Sequence, residues 1–132
     1  MLADLYRRWL LELWKGDFGL ADELVTADFA GHWPGMDVSG PAGLAEALRQ
    51  AHEPFADVDV TLDVGPIVDG DLVSARWTFA GTYRGGLPGA TAPSGARIAF
   101  SGHDILRARS GRFAEYWVIS DVQMFSRQLG IG

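Results

Sequence analysis

Apolar side chains recur at helical spacing over residues 2–15, which predicts an amphipathic helix at the start of the chain. A second short helix is predicted over residues 20–25. The Ser-Gly-Pro sequence at 39–41 is typical of a helix start, and this third helix should continue to about His52. The period then changes, because residues 57–64 alternate Asp or Thr with Val or Leu. That alternation predicts a half-buried strand.

The second half of the chain is predicted to form a meander of long strands joined by turns. A turn is predicted at 69–71, a strand over 72–83, a Gly- and Pro-rich loop over 84–95, a strand over 97–109, and a last turn and strand from 110 to 121. Helices followed by antiparallel strands predict a single α+β domain over 1–132, with the helices packed on one face of a curved sheet.

Alternation along the last strand places five side chains on one face: Phe113, Glu115, Trp117, Ile119 and Asp121. An ionised acid among large apolar groups is unfavourable unless it is hydrogen-bonded or its pKa is raised for proton transfer. Asp121 also ends the strand, at the rim of the expected cavity, so we interpret it as a candidate acid/base. The same position suits the N-cap of a helix that begins at Val122. Both interpretations stay open.

The opposite face of this strand carries further apolar groups. Tyr116 and Val118, with Trp77 or Arg76 alongside depending on register, would form an exposed patch if the helices cover only one side of the sheet. Such patches mark interfaces. We therefore predict a homodimer through the outer sheet face.

Composition narrows the classes of function. The net charge of −6 argues against nucleic acid as a partner. No apolar run is long enough to span a membrane and the N-terminus lacks a signal pattern, so a cytoplasmic protein is expected. The chain has no cysteine, and its three histidines show no metal-ligand spacing, so neither a metal nor a cofactor is expected.

Several segments occur in an order that resembles one known family. They are residues 28–35, 40–44, 77–85, 93–97, 110–117, 121 and 128–130. In these segments the chain is similar to the SnoaL-like polyketide cyclase (ester cyclase) family of the ketosteroid-isomerase and nuclear-transport-factor-like superfamily. The resemblance implies a cone-shaped half-barrel with N-terminal helices on the concave face of the sheet. One departure is Tyr83, which lies where many members have His.

The resemblance also aligns Asp121 with the family's catalytic acid/base. His32, expected in a turn after the second helix, could protonate a carbonyl oxygen or orient a substrate hydroxyl. The expected substrate-binding residues are Trp33, Tyr83, His103, Glu115, Trp117 and Arg76. Glu115 could instead pair with Arg76 or Arg107 as a buried ion pair, and His103 could be either a cavity donor or a solvated sheet residue.

Two functional hypotheses follow. The first is a cofactor-free cyclase that acts on a small hydrophobic or polyketide-like molecule: Asp121 removes a proton next to a carbonyl, and the enolate closes a ring by aldol attack. The second is a non-catalytic small-molecule-binding dimer of the same fold, which the Tyr83 departure favours. Related isomerase, dehydratase or epoxide hydrolase reactions would need similar groups.

Overall fold

The fold begins with helices and ends with one. The computed structural model describes residues 1–131, and its helices are α1 (Leu2–Arg8), α2 (Ala21–Leu24), α3 (Gly40–His52) and α4 (Val122–Leu129). The first helix continues through a π-helical turn at Trp9–Leu13, and a 3-10 turn at Phe18–Leu20 precedes α2. The predicted third helix is confirmed, with Ser39 at its N-cap and Pro in its first turn.

Six strands form one curved sheet. They are β1 (Val25–Trp33), β2 (Met36–Ser39), β3 (Phe55–Asp69), β4 (Leu72–Tyr83), β5 (Arg97–Arg109) and β6 (Arg112–Ser120), in the spatial order β2-β1-β6-β5-β4-β3. All neighbours are antiparallel except β1 and β6, which run parallel. The strands predicted over 72–83 and 97–109 are confirmed at their predicted bounds.

The core lies between the helices and the concave face of the sheet. Tyr6, Trp9 and Leu13 on the first helix are fully buried, as are Leu44 and Leu48 on α3. The sheet supplies Val73, Ala75, Trp77 and Phe79 from one face of β4, as the alternation predicts. The helix α4 covers β5 beyond the end of β6. There the Gln128 amide accepts from the Ala99 backbone N–H at 2.8 Å and donates to the Ala99 carbonyl.

The predicted faces of the last strand are wrong beyond Phe113. Ala108 pairs with Phe113 while Arg107 pairs with Glu115, so one extra residue on β6 interrupts the ladder. A bulge of this kind reverses the alternation that follows it. Phe113, Tyr116 and Val118 therefore lie in the core, whereas Glu115, Trp117 and Ile119 lie on the outer face. Tyr116 and Val118 consequently cannot form the outer interface that the sequence analysis assigned to them.

A second correction concerns the first two strands, β1 and β2. Residues 25–33 and 36–39 form a hairpin at the sheet edge, where the sequence analysis expects the end of a short helix and a turn. His32 therefore lies within β1, opposite Trp117 of β6, rather than in a turn after a helix.

A glycine on β5 makes room for the Trp77 indole on the inner face of the sheet. A methyl group at Gly102 would come within 2.7 Å of the Trp77 ring and 2.9 Å of the Ile119 carbonyl oxygen. Trp77 is only 6% exposed, so its ring is surrounded by other core side chains. The absence of a side chain at position 102 therefore fixes where the Trp77 indole lies.

The Gly102→Ala substitution tests this packing. We expect it to lower the free energy of unfolding by about 1–3 kcal/mol, the usual cost of overpacking. Gly19→Ala is the matched control, because a methyl group there meets nothing within 4 Å, and it should change stability by less than about 0.5 kcal/mol. Urea denaturation of both variants measures the difference, and equal stabilities would contradict the packing described here.

Candidate functional site

Within residues 1–131, one acidic side chain lies in the core. Asp104 on β5 is 1% exposed and accepts three hydrogen bonds from neutral donors. The Tyr6 hydroxyl donates to Oδ2 at 2.9 Å, while the Trp77 Nε1 and the Tyr116 hydroxyl each donate to Oδ1 at 2.8 Å. The three donors come from α1, β4 and β6. They join the first helix to the middle of the sheet.

Burial controls the protonation of this group. Loss of solvation raises the pKa of Asp104 to about 6, although the hydrogen bonds from Trp77, Tyr116 and Tyr6 favour the carboxylate and oppose this rise. Burial also raises the pKa of both tyrosines, so their hydroxyls stay neutral donors. A carboxyl with a pKa near neutral can both accept and return a proton at physiological pH.

A cavity of about 200 Å³ lies between α3, the inner face of the sheet and α4. Seven of its ten wall residues are aromatic; the wall consists of Trp14, Trp33, Ala51, Phe55, Trp77, Phe79, Phe100, Val118, Ser120 and Phe125. None of them is charged. Trp77 connects this cavity to the buried acid, since one wall residue both faces the cavity and donates to Asp104. Asp104 thus lies one layer of side chains behind the wall.

Asp121 is absent from the wall of this cavity. Its side chain is exposed, and Oδ1 accepts from the backbone N–H of Met124 at 2.9 Å, as the N-cap of α4. Of the two interpretations of Asp121, the structure shows the helix N-cap. The expectation that Asp121 shares a strand face with Trp117 at the rim of the cavity is wrong, because the bulge in β6 turns Trp117 outward and the strand ends before Asp121.

His32 lies on the outer face in a cluster of charged groups. Its Nε2 is 2.8 Å from Glu115 Oε2 and its Nδ1 is 3.2 Å from Asp37 Oδ1. Hydrogen bonds to these carboxylates raise the pKa of His32, so the imidazolium form is favoured. Glu115 also pairs with Arg107 at 3.3 Å, one of the two partners considered for it, but at the half-exposed surface rather than in the core.

The remaining predicted residues are dispersed. Arg76 lies on the outer face, 2.9 Å from Nε2 of His103 and 3.1 Å from the Ser101 hydroxyl, which matches the solvated alternative for His103. Tyr83 is buried away from the cavity wall, and its hydroxyl accepts from the Leu87 backbone N–H. Trp33 alone among the predicted site residues lines the internal cavity.

Four predicted residues do meet, but on the outside. His32, Trp33, His103 and Trp117 line a shallow apolar groove of about 380 Å³ on the outer face.

Within residues 1–131, no group of three or more His, Cys, Asp or Glu side chains is arranged to hold a metal ion. No helix in the same part of the chain has both the length and the apolar character required to cross a membrane.

The sequence analysis misses Asp104 as the buried acid. Alternation along β5 puts Asp104 on the side opposite His103, and the structure has this arrangement, but only His103 was treated as a candidate. The available signal was the shared parity of Asp104 with Gly102 and Leu106, both of which are buried. An acid on the apolar side of a strand needs several donors, and Tyr and Trp residues elsewhere in the chain supply them.

Comparisons with solved structures agree with this architecture. TsrD from Streptomyces laurentii is 29% identical over 99% of this chain and 96% of its own, with a TM-score of 0.83. IdmH from Streptomyces antibioticus, described as a candidate polyketide cyclase, is 26% identical over 97% of each chain, with a TM-score of 0.81. A candidate polyketide cyclase from Bacillus cereus is 26% identical over 96% of this chain and 78% of its own, with a TM-score of 0.79.

None of the curated proteins compared with this chain matches it. The family model for SnoaL-like polyketide cyclases matches residues 3–129, which is nearly the whole chain. The helices on the concave face of a curved, open sheet and the cavity between them are the architecture that the sequence resemblance implies. The chain therefore belongs to the SnoaL-like polyketide cyclase family.

Proposed function

We propose that this protein is a cyclase-type enzyme that moves a proton next to a substrate carbonyl, with Asp104 rather than Asp121 as the acid/base. The proposal depends on one observation: the Trp77 indole lines an apolar cavity and donates a hydrogen bond to Asp104. Burial raises the pKa of this carboxyl to about 6. Perturbed acids beside an apolar cavity are characteristic of active sites.

The chemistry follows from the two protonation states of Asp104. The carboxylate accepts the proton from the carbon next to a carbonyl, and the enolate then attacks a second carbonyl of the same molecule and closes the ring. The carboxylic acid returns the proton to the new alkoxide. Such general acid–base help contributes about 10²–10⁴-fold, and folding of the substrate within the aromatic walls adds to it.

Access to Asp104 requires movement of one side chain. Because Trp77 lies in the wall, its indole has to shift before the carboxyl can reach a substrate carbon. Catalytic hydrogen bonds often reach their productive geometry only when substrate is bound. Isomerisation or dehydration would use the same acid and the same cavity, so the substrate selects the reaction.

A second candidate is a small-molecule binder without catalysis. It is favoured by the complete hydrogen bonding of Asp104, since three donors stabilise the carboxylate in place and the wall itself holds no titratable group. The two functions differ in one observable. Only the enzyme exchanges protons with its ligand.

A diketone of one aromatic ring, 1-(2-acetylphenyl)propan-2-one, tests the proposal, since its two carbonyls can close a six-membered ring. In deuterated buffer, we expect the wild type to catalyse both deuterium uptake next to the carbonyls and ring closure, measured by NMR. The rate should rise with pH through about 6, because Asp104 must lose its proton to act as a base. Asp104→Asn should lower the rate by about 10²–10⁴-fold.

Asp121→Asn is the matched control, because Asn still caps α4 and the residue does not line the cavity. Its rate should stay within about twofold of wild type. Full activity in Asp104→Asn would overturn the proposal, and loss in Asp121→Asn alone would return the role to that residue. Absence of exchange by the wild type would favour the binding function.

We also propose that the protein assembles as a homodimer through the outer sheet face. Ile119 is 68% exposed and Ile105 is 46% exposed there, next to Trp117. Arg107 and Glu115 lie beside them with opposite charges. A second copy packed on this face about a twofold axis would cover these apolar groups.

Ile119→Glu should convert a dimer to a monomer, since it would bury an unpaired charge in each half of the interface. Met36→Glu is the control, because Met36 is 49% exposed on the edge strand β2 and does not line this groove. Sedimentation equilibrium at micromolar concentration measures the mass. A monomeric wild type would contradict the proposed assembly, as would a dimer that Ile119→Glu leaves intact.

A further inference from the structure

The internal cavity offers few polar side-chain atoms to a ligand. Among the wall residues that the structure describes, Ser120 carries a hydroxyl and three tryptophans carry an indole nitrogen. Nε1 of Trp14 is buried out of reach, and Nε1 of Trp77 already donates to Asp104. Ser120 and Trp33 are therefore the wall residues whose polar side-chain atoms remain to be considered.

The register of the sheet directs the Ser120 side chain toward the cavity. Trp77 on β4 pairs with Gly102 on β5, and Gly102 pairs with Ser120 on β6. Directly paired residues of an antiparallel sheet project to the same face. A methyl group at Gly102 would point at the Trp77 ring on the inner face, so Ser120 projects to that face as well. Ser120 also has the parity of Tyr116 and Val118, both of which are buried.

The Ser120 hydroxyl is available to a ligand. Other hydroxyls on the sheet are engaged, since Ser74 donates to the backbone carbonyl of Asp104 at 2.8 Å and Ser101 accepts from Arg76 at 3.1 Å. In the part of the chain that the structure describes, Ser120 has no such partner, and its hydroxyl is not among the unpartnered atoms that are sealed from the surface. The residue is half-buried at the end of β6, so its hydroxyl can be reached.

Ser120 lies one diagonal step from the buried acid. The register of β5 and β6 pairs Gly102 with Ser120 and Asp104 with Val118. Diagonal neighbours on one face of a sheet are about 7–8 Å apart. A proton-transfer contact on one side and a hydrogen bond on the other each take up about 3 Å. The space between the two side chains therefore suits a carbonyl group and the carbon next to it, once the Trp77 indole has shifted.

We propose that the Ser120 hydroxyl binds the carbonyl oxygen of a neutral aromatic ketone and stabilises the enolate that Asp104 forms from it. This rests on the proposed function, because the ketone occupies the same cavity with Asp104 as its base. When the carboxylate takes the proton from carbon, negative charge develops on the carbonyl oxygen. Ser120 keeps its own proton and donates a hydrogen bond to that oxygen. Such a donor accelerates the step because the bond is stronger in the transition state than in the ground state.

Binding is tested with two probes of nearly equal shape, 2-acetylnaphthalene labelled with ¹³C at its carbonyl and 2-isopropenylnaphthalene, by calorimetric titration of the full chain. The wild type should bind the ketone about fivefold more tightly, the usual contribution of a neutral hydrogen bond, and Ser120→Ala should bind the two within about twofold of each other. The carbonyl ¹³C signal of the bound ketone should lie further downfield in the wild type than in Ser120→Ala, because a hydrogen bond polarises the carbonyl.

Two control variants separate this donor from its alternatives. Ser101→Ala makes the same change on the outer face, where the hydroxyl accepts from Arg76 and does not line the cavity. Trp33→Phe removes the remaining indole donor of the wall. Both should keep the downfield carbonyl signal. Ser120→Ala should unfold at the same urea concentration as the wild type, so a lost signal reports the missing hydroxyl rather than a damaged fold.

Turnover of 1-(2-acetylphenyl)propan-2-one tests the catalytic part. Removal of one donor to a developing oxyanion costs about 10²-fold in kcat, and we expect this loss in Ser120→Ala. KM should change less than kcat, because the hydrogen bond is worth more in the transition state. Ser101→Ala should turn over at the rate of the wild type.

Equal affinity of the wild type for both probes, no binding of either probe, or a carbonyl signal that is unchanged in Ser120→Ala would overturn the proposal. An unchanged kcat in Ser120→Ala would overturn its catalytic part. Failure of the acid–base proposal has a different signature. In that case Asp104→Asn would exchange substrate protons as fast as the wild type, while the ketone preference and the carbonyl signal would still depend on Ser120.

Discussion

The carboxyl group of Asp104 holds three separate parts of this fold together through hydrogen bonds from Tyr6, Trp77 and Tyr116. A buried acid costs free energy unless donors surround it, and removal of any one donor would leave the acid partly unsatisfied. The first helix can therefore dock on the sheet only where the Tyr6 hydroxyl reaches β5. The orientation of the core aromatic groups follows from the same requirement.

The cavity is a consequence of that arrangement. The Trp77 indole donates to Asp104 and packs against Gly102, so it separates the buried acid from the cavity. Trp14 stacks on it, and His52 fixes the backbone of Trp14. One connected set of contacts thus runs from the buried acid through Trp77 to Trp14 and His52. In this account the structural centre of the fold and its chemical site are the same group of residues.

Much of the architecture was predictable because local patterns decide it. The alternation in β4 and the Ser-Gly-Pro start of α3 each correspond to a confirmed element. The site was not predictable in the same way. A single extra residue in β6 reverses which side chains face the core, and no local pattern signals it. The role of Asp104 was also not predictable from local sequence, because its donors lie 98, 27 and 12 residues away along the chain.

The state of Asp104 is the most direct test of this account. Its carboxyl carbon can be followed by ¹³C NMR between pH 3 and 8 in protein labelled at aspartate, with Asp104→Asn used to assign the signal. The account predicts a transition at about 6, because burial outweighs the hydrogen bonds that favour the carboxylate. A transition near the ordinary value of about 3.9 would contradict it. In that case Asp104 would be a purely structural carboxylate and could not return a proton at neutral pH.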